Sequence, residues 1–183
     1  MSFEHCPRPE HPKPQFRRDN WVNLNGVWGF DFDFQSLGER EGWQNKTDFA
    51  QSITVPFCPE CPASGIGYDD FIAAVWYQRS FTVPDEWRTM DVLLHFGGVD
   101  YHCKAWVNGV LVGQHYGGSS SFTFPITAAL RSGENCLVVC AYDDTRSGQQ
   151  PLGKQSIERY SRGAHYSRTT GIWQTVWPEA AQE

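Results

Sequence analysis

The chain has 183 residues, enough to bury the core of one domain without a metal or a disulfide to hold it together. A net charge of −6 lacks the basic face that nucleic acids and anionic membranes require, so neither is expected as a partner. No apolar run approaches the length of a membrane span. The aromatic share of 15% suits carbohydrate faces or protein interfaces as well as a core.

Nearly every segment is predicted to be a strand, in chain order. Residues 1–15 are polar and proline-rich, which predicts a short stiff tail rather than a signal peptide. "GVWGFDFDF" alternates aromatic residues with Gly and Asp, the two-residue period of a half-buried strand. Strands are also predicted in "SITVPF", "AVWYQRSFTVP", "MDVLLHFGGV", "YHCKAWV", "VLVGQHY", "SFTFPIT", "ENCLVVCAYDD" and "GIWQTVWPE".

The breaks between these strands favour one fold class. Asn108-Gly109 is a strong hairpin signal, since both residues tolerate positive φ. Helical structure is expected only as single turns in "PDEWR" and "ITAALRSGE". Roughly nine strands separated by Gly, Pro, Asn and Asp predict an all-β protein, a jelly-roll β-sandwich.

The cysteines are interpreted as core thiols. "CPEC", Cys58 to Cys61, has the spacing of a redox or zinc pair, but it needs partners. Cys136 and Cys140 lie on one face of a predicted strand, as small core residues do, and Cys103 has a similar position. Zinc and disulfides are therefore not expected, no other cofactor is indicated, and the predicted compartment is the cytoplasm.

Two loops carry residues that could contact a sugar. Asp69 and Asp70 lie beside Tyr68 and Phe71; carboxylates accept hydrogen bonds from hydroxyls while a ring stacks on the C–H face of a sugar. The alternative is an exposed acidic loop tip. The segment 143–170 is long, rich in Arg and Gln and without apolar periodicity, so its order is expected to depend on a partner surface.

The stretch "HYGGSSS" after the hairpin has a structural interpretation. We expect its glycines to let the chain cross close over the sheet, and His115 to brace the turn. The sequence contains no G-x-S-x-G, P-loop or G-x-G-x-x-G motif, so nucleophilic hydrolase and nucleotide sites are not indicated. Residue patterns alone thus predict an all-β domain with aromatic, polar loops and do not indicate its function.

A resemblance adds to this interpretation. It is carried by "WVNLNGVWGFDFD", "FGGVDYHCKAWVNGVLVGQHYGGSSSFTFPIT", "LRSGENCLVVCAYDD" and "YSRTTGIWQTVWPE". In this order they resemble the N-terminal sugar-binding domain of glycoside hydrolase family 2, which includes β-galactosidases, β-glucuronidases and β-mannosidases. The resemblance implies a galactose-binding-domain-like sandwich over residues 16–178, a tail over 1–15 and an end, 179–183, that leads to further domains.

The resemblance also implies that catalysis lies elsewhere. An immunoglobulin-like domain and a TIM barrel with two catalytic glutamates would follow in the same chain, and the family's Asn-Glu acid/base dipeptide does not occur here. No catalytic residue is therefore assigned, and no hydrolysis is expected from this chain alone. It would shape the pocket for a β-glycoside and support a homo-oligomer. The alternatives are a free-standing carbohydrate-binding module and a protein-interaction β-sandwich.

The candidate sugar contacts follow from the same resemblance. Several members have an Asp six residues before the Gly of "TGIW", and that position here is His165. This departure puts the usual sugar contact in doubt, although imidazole can still bond a hydroxyl. Arg162, Tyr166 and Arg168 are the neighbours that could meet an acidic sugar.

Overall fold

Antiparallel strands make up most of the regular structure in the computed structural model, which describes residues 6–181. The strands are β1 Gly26–Phe32, β2 Gln51–Val55, β3 Ala74–Thr82, β4 Asp91–Phe96, β5 Val99–Asp100, β6 His102–Val107, β7 Val110–Tyr116, β8 Phe122–Pro125, β9 Glu134–Tyr142, β10 Gly171–Ile172 and β11 Val176–Ala181. Short 3-10 helices cover Pro14–Phe16, Trp43–Asn45, Pro62–Ser64, Asp85–Thr89 and Thr127–Ala129. Within residues 6–181 no helix has the length and apolar character to cross a membrane.

The strands form a β-sandwich, which confirms the predicted fold class. One sheet has the order β2-β1-β3-β9-β6-β7 and another has the order β11-β4-β8, while β5 and β10 form a separate two-stranded sheet. Side chains from both larger sheets, such as Tyr77 on β3 and Leu94 on β4, belong to one buried cluster. The main core therefore lies between the two sheets.

Alternation along the strands decides which side chains enter this core. On β4, Val92, Leu94 and Phe96 are fully buried while the residues between them face outward. On β1, Trp28 and Phe30 are buried in the same way. The prediction that this strand continues to Phe34 is wrong: β1 ends at Phe32, and Phe34 is 53% exposed.

A second, smaller cluster covers the outer face of the six-stranded sheet. Trp76 on β3 stacks on Trp106 of β6 with ring centres 5.4 Å apart, and Trp43 packs against Trp76. Cys140 is buried in this cluster, whereas Cys103 lies in the main core and Cys136 is only half-buried. Burial on both faces explains why β3 and β9 are nearly continuous apolar runs.

The ends of the chain pack together on the three-stranded sheet. Trp21 pairs with Glu179 of β11, and the N–H of Val22 donates to the carbonyl of Pro178 at 3.1 Å. Residues 6–15, expected to form a tail, lie against the sandwich because His11 is buried beside Trp21. The expected boundary at residue 178 falls inside β11. The rest of the predicted tail, residues 1–5, and residues 182–183 lie outside the described residues.

Candidate functional site

The two loops singled out in the sequence meet at one end of the sandwich. Arg159 Nη2 donates to Asp69 Oδ1 at 2.7 Å, and Arg159 Nη1 lies 3.9 Å from Asp70 Oδ2. The hydrogen bond from Arg159 lowers the pKa of Asp69 from its usual value. Both carboxylates are about half exposed, but each already faces a guanidinium. The 58–74 loop and the 143–170 loop thus form one surface joined by an ion pair.

Arg168 holds this surface together from inside. Its side chain is 3% exposed, and its guanidinium donates to the carbonyl oxygens of Glu158, at 2.7 Å, and of Asp69. It also lies 4.2 Å from the centre of the Phe71 ring, a cation–π contact. Of the predicted sugar-contacting residues, Arg168 is therefore placed to position the loops rather than to reach solvent.

The other predicted residues of this loop lie on a projecting segment, residues 157–167, which we call the arm. Every residue of the arm is exposed. His165 and Arg162 exchange two backbone hydrogen bonds across a turn, of 3.1 and 3.2 Å, and Arg162 Nη1 lies 3.5 Å from Glu158 Oε1. Tyr166 is 61% exposed, and its carbonyl accepts from the N–H of Ser156. The structure therefore brings Arg162, His165 and Tyr166 together in solvent.

The base of the arm is tied to the sandwich by polar side chains that sequence analysis missed. Gln155 Nε2 donates to Asp100 Oδ2 at 2.8 Å. Gln150 Nε2 and Thr170 Oγ1 donate to the two carboxylate oxygens of Asp143, at 2.7 and 2.8 Å. These anchors are polar and distant in sequence, so a search for apolar periodicity does not find them. These contacts hold the 143–170 segment within this domain. Its order therefore does not depend entirely on a partner surface, contrary to what the sequence had led us to expect.

A groove of about 670 Å³ runs beside the arm, between residues 117–120 and 151–155. Asp100 lies at its base, where a Cβ on Gly118 would be 2.4 Å from the Asp100 carboxyl carbon. Trp173 Nε1 donates to the carbonyl of Gly118 at 2.7 Å, and His115 Nε2 lies 3.1 Å from Ser120 Oγ. The close crossing at the glycines and the bracing role of His115 are both as expected from the sequence.

Two buried carboxyl groups, Asp100 at the base of the groove and Asp143 near it, are weaker acids than usual. Burial, together with the nearby charge of Asp143, raises the pKa of Asp100 to about 7. Burial raises the pKa of Asp143 to about 6, although its hydrogen bonds act in the opposite direction. Glu60 accepts the backbone N–H of Thr170 at 3.1 Å. Together these carboxyl groups accept hydrogen bonds from backbone and side-chain donors of the 143–170 loop.

Cys58 and Cys61, the cysteine pair of the 58–74 loop, do not form a disulfide. All six cysteines are free thiols, and burial followed by the charge of Glu60 raises the pKa of Cys58 to about 12. A thiol in that state is a poor nucleophile. Over residues 6–181 no group of three or more His, Cys, Asp or Glu side chains is placed to hold a metal ion.

These features define a class of protein. An antiparallel sandwich whose loops present tyrosines, arginines and an imidazole at one end has the architecture of a binding domain. The comparison with known families agrees. The chain belongs to the family described as "Glycosyl hydrolases family 2, sugar binding domain", which matches residues 21–161.

Its relatives are glycosidases. β-Glucuronidase of Felis catus is 34% identical over 137 residues, which cover 67% of this chain and 21% of that protein. β-Glucuronidase of Paenibacillus borealis is 32% identical over 122 residues, covering 64% and 20%. β-Galactosidase of Thermoanaerobacter pseudethanolicus is 27% identical over 156 residues, covering 85% and 18%. This chain spans about a fifth of the length of these relatives.

Solved structures share the fold. The β-glucuronidase of Ruminococcus gnavus in complex with D-glucuronic acid superimposes with a TM-score of 0.72 at 24% identity, over 91% of this chain and 30% of that one. An apo structure of the same enzyme gives a TM-score of 0.73. At this level of identity the likeness establishes the sandwich architecture.

Proposed function

We propose that this chain is the non-catalytic sugar-binding domain of an enzyme that hydrolyses β-glycosides, and that its arm completes the substrate pocket of that enzyme. The arm is the observation that carries the proposal. Residues 157–167 are all exposed, yet Arg168 fixes their base to the 58–74 loop. A tip that is open at the end of a fixed base is suited to reach into a neighbouring domain.

The arm offers the chemistry that a sugar requires. The imidazole of His165 and the hydroxyl of Tyr166 can bond sugar hydroxyls, and the ring of Tyr166 can lie against a C–H face. Arg162 Nη1 lies 3.5 Å from Glu158 Oε1 and the Arg162 side chain is exposed, and a guanidinium binds a carboxylate well. An acidic sugar such as a β-glucuronide is therefore the first substrate to test, with Asp69 and Asp70 as secondary contacts.

The remaining parts of the proposal concern the whole enzyme. An immunoglobulin-like domain and a TIM barrel with two catalytic glutamates would follow in the same polypeptide, and the short share of the relatives that this chain spans supports further domains. A cytoplasmic location is supported by the six free thiols. Assembly into a homo-oligomer is part of the proposal and is testable by sedimentation.

The test compares the complete polypeptide with the 183-residue chain on nitrophenyl β-glucuronide, β-galactoside and β-mannoside. We expect turnover by the complete polypeptide and none by the chain alone. In the complete polypeptide, Arg162→Ala should raise KM for the glucuronide about 10-fold while it changes KM for the galactoside less. His165→Ala should raise KM for both.

Arg40→Ala is the matched control, because Arg40 is an exposed arginine of the segment between β1 and β2. It should leave all kinetic constants unchanged. If KM is unchanged in both Arg162→Ala and His165→Ala, the arm does not form part of the substrate pocket. Hydrolysis by the isolated chain would overturn the non-catalytic assignment, and tight sugar binding by the isolated chain would favour a free-standing binding module.

A further inference from the structure

The groove beside the arm has a lining of its own. Its volume of about 670 Å³ lies within the size range of small-molecule sites. One wall is the loop 117–120 that follows β7, and the other is the segment 151–155 that leads into the arm. Within residues 6–181, none of the residues that line the groove belongs to the arm, 157–167. A ligand can therefore be assigned to the groove separately from the arm.

Hydrogen bonds fix both walls of the groove. On one side Trp173 Nε1 donates to the carbonyl of Gly118 at 2.7 Å. On the other side the Gln155 side chain donates to Asp100 at 2.8 Å and accepts the backbone N–H of Thr169 at 2.7 Å. A site whose walls are already held in place avoids the entropic cost of ordering them when a ligand binds. The groove is therefore preformed.

The floor of the groove carries a carboxyl oxygen that a ligand can reach. Asp100 lines the groove and keeps 9% of its surface exposed. Its Oδ2 accepts the hydrogen bond from Gln155. Its Oδ1 has no hydrogen-bond partner among residues 6–181, and it is not one of the enclosed side-chain atoms of that part of the chain. Asp100 Oδ1 is therefore an acceptor that is open to the groove.

The walls add donors at the mouth of the groove. Lys154 and Ser119 lie on opposite walls, and both are exposed. The Lys154 ammonium lies 5.7 Å from the centre of the Tyr166 ring, a cation–π contact at the base of the arm. An ammonium group only donates, whereas the hydroxyl of Ser119 both donates and accepts. With Asp100 at the floor, the groove can bond a molecule from several sides.

Apolar surface lies among these polar groups. Trp173 and Tyr101 contribute half-buried rings, and Pro151 and Leu152 add aliphatic surface on the other wall. A sugar ring presents hydroxyls at its edge and C–H groups on its faces, so it makes use of both kinds of surface. An inorganic anion would leave the aromatic and aliphatic surface unused. The lining therefore favours a saccharide.

Charge narrows the class of saccharide. Lys154 at the mouth disfavours a cation, and the carboxylate of Asp100 at the floor disfavours an anion. A metal ion is not indicated, because the described residues contain no group of three suitable ligands. Hydroxyl groups both donate and accept, so a neutral sugar can bond Asp100 and Lys154 together.

We propose that the groove binds a neutral saccharide, at a position separate from the arm. One sugar hydroxyl donates to Asp100 Oδ1, a second accepts from Lys154, and a C–H face lies against the aromatic wall formed by Trp173. The arm is proposed to contact the glycoside that is hydrolysed, whereas the groove takes a saccharide whether or not hydrolysis follows. The inference therefore goes beyond the proposed function, and either can fail without the other.

Nuclear magnetic resonance of the 183-residue chain tests the proposal directly. D-Glucose, D-galactose, D-mannose, cellobiose and D-glucuronate are titrated separately, while the backbone resonances of Ser119 and Lys154 and the indole ¹H–¹⁵N resonance of Trp173 are followed. We expect at least one neutral sugar to shift all three saturably, with a dissociation constant of about 1–10 mM. Such binding is far weaker than the tight binding that would favour a free-standing module. D-Glucuronate should bind less well than D-glucose, which has the same configuration.

The pH dependence of binding reports on Asp100 itself. Burial, together with the nearby charge of Asp143, raises the pKa of Asp100 to about 7. Above that pH the carboxylate accepts a charge-assisted hydrogen bond from the sugar, and below it the proton removes this advantage. Affinity should therefore rise about 3- to 10-fold between about pH 5 and about pH 9. Asp100→Asn should abolish the rise, which separates it from the titration of His115 or Asp143.

Two further variants and a control locate the bound sugar. Ser119→Trp places a large side chain in the groove from an exposed position and should weaken binding at least about 10-fold. Lys154→Met keeps the length of the side chain without its charge and should weaken binding about 3- to 10-fold. Ser161→Trp is the matched control, because Ser161 is an exposed serine of the arm, and it should leave binding by the isolated chain unchanged.

The outcomes are decisive in both directions. Saturable binding that is weakened by Ser119→Trp and not by Ser161→Trp supports the proposal, and Lys154→Met decides the location if Ser119→Trp fails to fold. No saturable shift with any neutral sugar overturns the proposal, as does binding that is lost in Ser161→Trp and retained in Ser119→Trp. An affinity that does not change with pH overturns the assigned role of Asp100. Tighter binding of D-glucuronate than of D-glucose overturns the proposed ligand class.

Discussion

Replacement of Arg168 by methionine would remove the guanidinium that joins the arm to the 58–74 loop. Arg168 is 3% exposed and donates to the carbonyl oxygens of Glu158, at 2.7 Å, and of Asp69. Methionine can still pack against Phe71, but both carbonyl oxygens lose their donor. Hydrogen bonds from charged groups contribute about 1.5–3 kcal/mol each, and removal of a buried charge offsets part of that loss. We expect the free energy of unfolding to fall by about 2–4 kcal/mol.

Urea unfolding followed by tryptophan fluorescence measures this loss, and the thermal midpoint should fall by about 5–15 °C. Arg168→Lys keeps the charge without the planar fork, so it should recover only part of the stability. Arg146→Met is the matched control: Arg146 is exposed, and its guanidinium also contacts the Phe71 ring, at 3.9 Å. The reasoning fails if Arg168→Met and Arg146→Met unfold at the same urea concentration.

Limited trypsin digestion reports on the arm separately from global stability. The bonds after Arg159 and Arg162 lie in the exposed arm, so first cleavage is expected there while the sandwich stays intact. In Arg168→Met the same bonds should be cut faster, because the base of the arm is released. An arm that resists trypsin as long as the core does would be packed within this domain, and the proposal of a pocket-completing arm would then be dropped.

Asp100→Asn should stabilise the chain above about pH 7. Folding raises the pKa of Asp100 from 3.8 to about 7, so the protonated carboxyl contributes its full stability below about pH 4. That contribution is lost as the pH rises to 7. The gain, about 1–3 kcal/mol in urea unfolding, should vanish near pH 4, and a pH-independent gain would contradict this assignment. Gly118→Ala should cost about 1–3 kcal/mol, because its Cβ would meet the Asp100 carboxyl at 2.4 Å. Gly153→Ala, with open space and φ of +59°, should cost only about 1 kcal/mol of backbone strain, and equal losses would count against the steric argument. Thiol titration after unfolding should find all six cysteines reduced with no bound zinc, and a disulfide or stoichiometric zinc would refute this.

Local patterns in the sequence predict most of the sandwich. Alternation places Leu94 and Phe96 in the core, and the Asn108-Gly109 hairpin adopts the positive φ values, 54° and 81°, that the residue pair favours. Continuous apolar runs are harder to interpret. Val138 and Cys140 face away from the main core but are buried by the segment between β1 and β2, which no local pattern reveals. The predicted tail likewise packs on the sheet through His11, which is one residue in a polar stretch.

The candidate functional site depends on contacts between distant polar residues. The sequence identified Asp69 and the 143–170 loop as candidates, but not that Arg159 joins them across 90 positions. The same holds for Gln155 and Asp100, 55 positions apart. Such pairs have no period and no characteristic spacing, so only the three-dimensional structure brings them together. The groove beside the arm escaped prediction for this reason.

Because the arm is anchored by polar side chains, the residues that stabilise its base differ from those that we expect to contact a substrate. An arm anchored by apolar side chains would be part of the core, and its tip would be fixed by the same contacts that fold the domain. Here Arg168 holds the base while His165 and Tyr166 lie in solvent, free to meet another surface. Changes at the base should therefore lower stability, whereas changes at the tip should alter KM in the complete polypeptide and leave unfolding unchanged. A tip variant such as His165→Ala that destabilised the isolated chain would show that the tip packs on the sandwich instead.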